Sequence, residues 1–125
     1  MIGQVRAHHA LLPIIFRQPA GRDATVEFVV DTGFIGYLTL PMESVAAMNL
    51  QFIRRMLVNL ADNSTILVEV YAVTFLWNGE EREVEVIATG IRPLVGTALL
   101  AGMELILQFA EGGLVSVKTF VGAQK

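Results

Sequence analysis

Through much of this chain apolar and polar residues alternate with a period of two, the spacing that gives a strand one face in a core and one in water. Residues 25–28 alternate in this way before Val29-Val30 turns wholly apolar, as a strand does on entering a core. Residues 11–16 form an apolar, β-branched run ended by the turn-like Gln18-Pro19-Ala20-Gly21-Arg22-Asp23. A short strand is predicted over 37–40, after which Pro41 opens a helical turn through 43–48, a position that suits proline. A long hairpin follows. Its first arm, 54–60, rises to the turn formers Ala61-Asp62-Asn63-Ser64, and a strongly β-prone arm returns over 65–77. Asn78-Gly79 is the strongest short hairpin signal and leads into 81–87, whose alternation marks a sheet with one wet face. The clearest helix is predicted over 97–103 with Thr97 as its cap. Residues 105–109 and 114–117 flank Glu111-Gly112-Gly113 as a last hairpin. The expected class is therefore all-β with short helices, one domain over 1–125, without internal repeat or linker.

Composition narrows this picture. Hydrophobic residues make up 54% of the 125 and charged residues 17%, against about 25% charged in an ordinary soluble domain. That apolar surplus needs covering, and a subunit interface is the simplest cover. A net charge of -3 gives no electrostatic reason to expect nucleic acid. No apolar run approaches the roughly 18 residues that a membrane helix needs. Near the start, Pro13 and Arg17 interrupt what would otherwise resemble a signal peptide, so a buried first strand is expected there and the cytoplasm is the expected compartment. The absence of cysteine excludes disulfides, thiol catalysis and cysteine metal sites, though it does not fix the compartment. His8 and His9 invite a metal reading, but neighbours on a strand point to opposite faces and no third ligand is evident, so they are read as surface residues and no metal or cofactor is expected. The cluster Glu80-Glu81-Arg82-Glu83, with Glu85, reads as a solvated edge. Tyr71 and Trp77 read as packing residues.

The segment that carries chemistry is Val29-Val30-Asp31-Thr32-Gly33. An acid placed directly after apolar strand residues is costly to bury unless it has partners or a task. Asp-Thr/Ser-Gly is weak alone, since chance supplies it in roughly one chain in twenty of this size, and an ordinary strand-ending turn explains it as well. Two further elements give it context: the hairpin tip Ala61-Asp62-Asn63-Ser64 about thirty residues on, and Leu94-Val95-Gly96 before the predicted helix. A plain hairpin tip explains the first nearly as well as a working flap.

In order and spacing these three elements resemble the retropepsin-like aspartic proteases, single-domain relatives of pepsin. The segment Asp31-Thr32-Gly33-Phe34-Ile35-Gly36-Tyr37 with Leu38-Thr39-Leu40-Pro41 is most similar to the prokaryotic branch. The resemblance spans roughly 11–117. It implies a closed β-barrel of the acid-protease type with one short C-terminal helix, forming half of a two-fold dimer. It further implies an endopeptidase in which Asp31 of each subunit holds one water between two carboxylates. On this resemblance Thr32 locks the paired loops in register. Residues Ala61, Asp62, Asn63 and Ser64 close over an extended peptide, and Leu94, Val95 and Gly96 let the chain pass behind the Asp loop. The implied partners are a second copy and a peptide or protein substrate, with no nucleic acid and no membrane.

Three departures bear on these expectations. Retroviral members carry an acid two positions after the motif glycine and an arginine after the later glycine; here Ile35 and Thr97 stand there, so a different dimer contact is expected. The flap has no glycine between Leu57 and Tyr71, which bears on its mobility. Phe34 stands where a small or hydroxyl residue is common and cannot donate to the carboxylates. Activity not confined to strongly acidic pH is the resulting expectation, and a rate profile restricted to below about pH 4 would count against it. The rival from another class is a catalytically idle module of the same fold, used for dimerisation or peptide binding.

Overall fold

The computed structural model describes residues 1–18 and 21–120; of the expected turn before the third strand, Pro19 and Ala20 lie outside them. The elements run β1 (Ile2–Arg6), β2 (His9–Arg17), β3 (Asp23–Val30), β4 (Leu38–Leu40), α1 (Met42–Met48), β5 (Gln51–Asn59), β6 (Thr65–Trp77), β7 (Glu80–Ala88), β8 (Leu94–Val95), α2 (Thr97–Leu100), β9 (Met103–Leu107) and β10 (Leu114–Thr119). All ten strands join one sheet in the order β5-β6-β7-β4-β8-β3-β2-β1-β10-β9. The end of β2 also pairs with β6, at Phe16 with Phe75 and Arg17 with Thr74, so the sheet curls back to meet itself. The fold is thus mostly β, and the closed barrel expected from sequence appears as one sheet with a two-pair junction.

At this junction sits the aromatic part of the core. Phe16 lies 5.6 Å from Phe28 and 5.9 Å from Phe75, ring centre to ring centre, and Trp77 meets Phe75 edge-on. All four are buried, and each contributes on the order of 2–3 kcal/mol of burial.

Local sequence explains most element boundaries. Asn78 and Gly79 both take the left-handed conformation, at φ 54° and 83°, which a two-residue hairpin turn needs. Ala7 and His8 do the same at φ 49° and 68° without the usual residues, and they join β2 to β1, a strand the periodicity did not reveal. His8 therefore sits exposed in a turn, and only His9 lies on a strand, so the expected placing of the two on opposite faces of one strand does not hold. Pro41 stands just before α1, and Asn49 ends that helix in the left-handed conformation at φ 51°.

The C-terminal helix is shorter than predicted. α2 covers four residues, its N-terminal flanking residue is Gly96, and Thr97 makes no capping bond. The physical reason is competition from sheet pairing: Ala101 is extended, Gly102 turns at φ 79°, and Met103 is already paired with Thr119. α1, at seven residues, is the longer of the two helices among the described residues. β7 also differs from expectation, since it lies inside the sheet order. However, β4 pairs only with Val86 to Ala88, so the glutamate-rich first half of β7 still has one side without a strand. No helix among the described residues is long and apolar enough to cross a membrane.

Candidate active site

β8 lies between β3 and β4, parallel to the first and antiparallel to the second. The chain leaving β3 at Val30 must therefore cross the end of β8 before returning as β4. Residues 31–37 make that crossing, and Asp31 is the first of them.

Residues from the far end of the chain hold the loop. The Asp31 N–H donates to the Val95 carbonyl at 2.9 Å, and Gly96 N–H donates to Tyr37 at 2.9 Å. Thr97 N–H donates to Phe34 at 2.8 Å, and Ala98 N–H is shared between Ile35 and Gly36 at 3.2 Å each. The Thr97 hydroxyl also donates to the Phe34 carbonyl, at 3.4 Å. Thus Thr97, expected as a cap, fastens the Asp loop within the same chain. The fit is close enough that only glycine serves at 96. A Cβ there would lie 2.1 Å from the Gly36 oxygen and 2.6 Å from both the Phe34 ring and the Phe34 oxygen. At Gly36 a Cβ would meet the same ring at 2.6 Å. The Phe34 ring therefore covers two glycines, a wedge that the sequence showed only as a missing hydroxyl.

Within the loop, the Gly33 N–H donates to Asp31 Oδ1 at 2.9 Å, and Phe34 N–H donates to the Asp31 carbonyl at 3.1 Å. Gly33 is not in the left-handed region. Its value lies in space, since a Cβ would stand 3.2 Å from the carboxylate oxygen. Asp31 is half-buried, while Thr32 and Gly33 are exposed. Ile35, in the same loop, is 80% exposed, and Ile91, in the loop before β8, is 92% exposed.

The expected flap is the end of the β5–β6 hairpin. β7 pairs with β6 only from Glu69 onward, so the pairs from Met56–Val68 to Asn59–Thr65 stand beyond the sheet as a two-stranded arm about 13 Å long. The tip is tied internally. Leu60 N–H donates to Ser64 at 2.8 Å, and Asp62 Oδ1 accepts both the Ser64 N–H at 2.9 Å and the Ser64 hydroxyl at 2.5 Å. These bonds, the hydroxyl's first, lower the Asp62 pKa. Asn63 supplies the left-handed residue at φ 67°, which in a glycine-rich tip glycine would supply. Residues 61–64 are exposed, and among the described residues no hydrogen bond joins them to the Asp31 loop. The motif Asp31-Thr32-Gly33 and Leu94-Val95-Gly96 are thus brought together in one chain, while the hairpin tip is not.

Sequence reasoning missed the floor beside this loop. Partner residues run in one row across six strands, Val29–Leu94–Thr39–Ile87–Val70–Arg54. Thr39 is buried, and its hydroxyl has no hydrogen-bond partner among the described residues. A cavity of about 130 Å³ opens between the Asp loop at Gly36, Tyr37 and Leu38 and the apolar Met56, Val70 and Ile87. Arg54 and Glu85 complete it, joined by two 2.6 Å bonds. Their bonding raises the pKa of Arg54 and lowers that of Glu85. Larger clefts of about 230 and 280 Å³ lie elsewhere and include no residue of the loop. No group of three metal-ligating side chains occurs among the described residues.

No protein-family model matches this chain, and no curated protein does. Among solved structures the chain is similar to one described as a retropepsin-like aspartic protease from Rickettsia conorii. The TM-score is 0.53 at 14% identity, over 94% of this chain and 91% of that one. At that identity the likeness is one of fold.

Proposed function

We propose that this chain is one subunit of a homodimeric aspartic endopeptidase, with Asp31 of each subunit contributing one carboxylate. The reading rests chiefly on one observation. The Asp31 loop crosses β8, is fastened from behind by residues 95–98, and leaves Thr32 and Gly33 facing solvent in a fold like that of a retropepsin-like protease. A single carboxylate cannot both activate water and protonate a carbonyl. A second copy related by a two-fold axis supplies the other, because an interface of this symmetry brings each residue against its own counterpart.

The chemistry then follows general principles. Two carboxylates a hydrogen bond apart share one proton. The ionised member takes a proton from the bridging water, whose oxygen bonds to the peptide carbonyl carbon, while the other member gives its proton to the carbonyl oxygen. Collapse of that intermediate breaks the C–N bond, and the amine leaves with a proton. Thr32, exposed beside Asp31, locks one loop to the other. Exposed Ile35 supplies an apolar dimer contact in place of the ion pair of retroviral enzymes. Residues 61–64 close over an extended peptide and offer it backbone bonds.

The decisive experiment compares wild type with Asp31→Asn for cleavage of a mixed peptide library across pH and for mass by sedimentation. Asn keeps an acceptor for Gly33 N–H, so the fold and dimer survive while cleavage is lost. A wild type that cleaves nothing although dimeric is instead an idle peptide-binding module. A wild type that stays monomeric even with saturating peptide refutes the shared site.

A further inference from the structure

We propose that the Arg54–Glu85 ion pair makes the cavity beside the Asp31 loop a subsite for uncharged, leucine- to phenylalanine-sized side chains of the peptide substrate. The inference rests on the proteolytic reading and specifies its substrate. The cavity walls are Leu38, Met56, Val70 and Ile87, with Tyr37 beside them, and its volume is about 130 Å³. An apolar cavity of roughly 150 Å³ is enough for benzene, so one large apolar side chain fills this space. The cavity lies three to four strands from Val29 along the transverse row, on the order of 15–20 Å along the sheet. That is no more than about six residues of extended chain from a bond held at Asp31.

Charge decides what else can enter. Arg54 reaches across from β5 and Glu85 from β7, and both oxygens of Glu85 are taken by the two terminal nitrogens of Arg54. The paired rim presents no net charge. A carboxylate side chain brought to it meets Glu85 at close range, and an ammonium or guanidinium meets Arg54. Either must break a two-bond pairing or lie unpaired against an apolar wall, and both are costly. Both side chains are 49% exposed in the single chain, and a peptide laid over them removes part of that water and sharpens the penalty. This is discrimination through repulsion of the wrong side chain, added to attraction of the right one. Removing one partner frees the other: without Glu85, Arg54 selects acids, and without Arg54, Glu85 selects bases.

The test is cleavage profiling with quenched peptides of fixed scissile pair, in which each flanking position is varied through Leu, Phe, Glu and Lys. The enzymes are wild type, Glu85→Gln, Arg54→Gln and Asp31→Asn, with circular dichroism confirming the fold of each. Wild type is expected to disfavour both Glu and Lys relative to Leu at one flanking position by about tenfold or more. At that same position Glu85→Gln should recover Glu, and Arg54→Gln should recover Lys, each by about tenfold. The swap Arg54→Glu with Glu85→Arg, which keeps the pair, should restore the wild-type profile if Glu85→Gln alone proves unfolded. Identical profiles in wild type and the single variants, or a wild type that favours a charged residue there, overturn this inference and leave the protease reading intact. Wild type no more active than Asp31→Asn overturns both.

Discussion

Gly96→Ala places one methyl group where the structure has least room for it. The new carbon would lie 2.1 Å from the Gly36 oxygen, which must retreat by about 1.3 Å to reach an ordinary 3.4 Å contact. Phe34 cannot yield easily, because its ring already covers Gly36. Overpacking of this kind costs about 1–3 kcal/mol. The retreat also strains the bonds from Gly96 to Tyr37 and from Ala98 to Gly36, each worth about 1 kcal/mol. In the opposite sense, Gly→Ala stabilises by about 0.4–1 kcal/mol through the unfolded chain when the site accepts it, so the sign of the effect is itself diagnostic. A net loss of about 2–4 kcal/mol is expected. With an unfolding entropy of about 2.1 cal/mol/K per residue over 125 residues, the midpoint should fall by about 8–15 °C. Urea unfolding followed by tryptophan fluorescence (Trp77 is the sole tryptophan) measures the free energy, and a thermal scan measures the midpoint. On the proposed proteolytic reading, peptide cleavage by the folded fraction should fall further than stability alone explains, since the displaced segment carries Asp31. A variant within about 0.5 kcal/mol of wild type would mean that the loop does not lie against residue 96 and that residues 95–98 do not hold Asp31 in place.

Thr39→Val exchanges a buried, unpartnered hydroxyl for a methyl of the same shape and is expected to stabilise by about 1 kcal/mol, read from the urea midpoint; a loss of stability would reveal a partner for that hydroxyl. Asp62 is held below the usual carboxylate range by Ser64, so its contribution is present above the ordinary value and fades as pH falls through the lowered one. Ser64→Ala should therefore raise the Asp62 midpoint in a carboxylate NMR titration, while an unchanged midpoint would deny the tip geometry. Glu85 behaves with the same sign, its pairing to Arg54 weakening only as pH drops through its lowered value; Arg54→Gln should move its midpoint upward in the same titration.

What the sequence shows of this molecule follows from range. Elements fixed by neighbours in the chain were legible: the Asn78-Gly79 turn, the alternation of β7, the helix opened at Pro41, and the two arms that meet at 61–64. The Asp31 motif and the later Leu94-Val95-Gly96 could be read as partners only through their resemblance, in order and spacing, to the retropepsin-like proteases. Features fixed by register were not legible. β5 is irregular between Phe52 and Arg54, and this shift decides which side of the sheet Arg54 occupies. Nothing in the alternation of 51–59 announces it, so the Arg54–Glu85 pair, 31 residues apart, stayed hidden. β1 escaped because Ala7 and His8 take a glycine-like turn without glycine. The predicted helix over 97–103 was overextended because local propensity carried no account of Met103 being claimed by β10.

The fastening of the Asp31 loop by residues 95–98 also sets when the loop can take shape. Thr97 lies 63 positions beyond the carbonyl it grips, so a chain emerging during synthesis completes its first three strands long before the clasp exists. Contacts of such separation close late, since the entropy of drawing distant segments together must be met first. A growing or truncated chain that ends before β8 carries the acid on an unfastened turn. The fold thus leaves the Asp31 loop without its clasp until the chain has extended through residue 98.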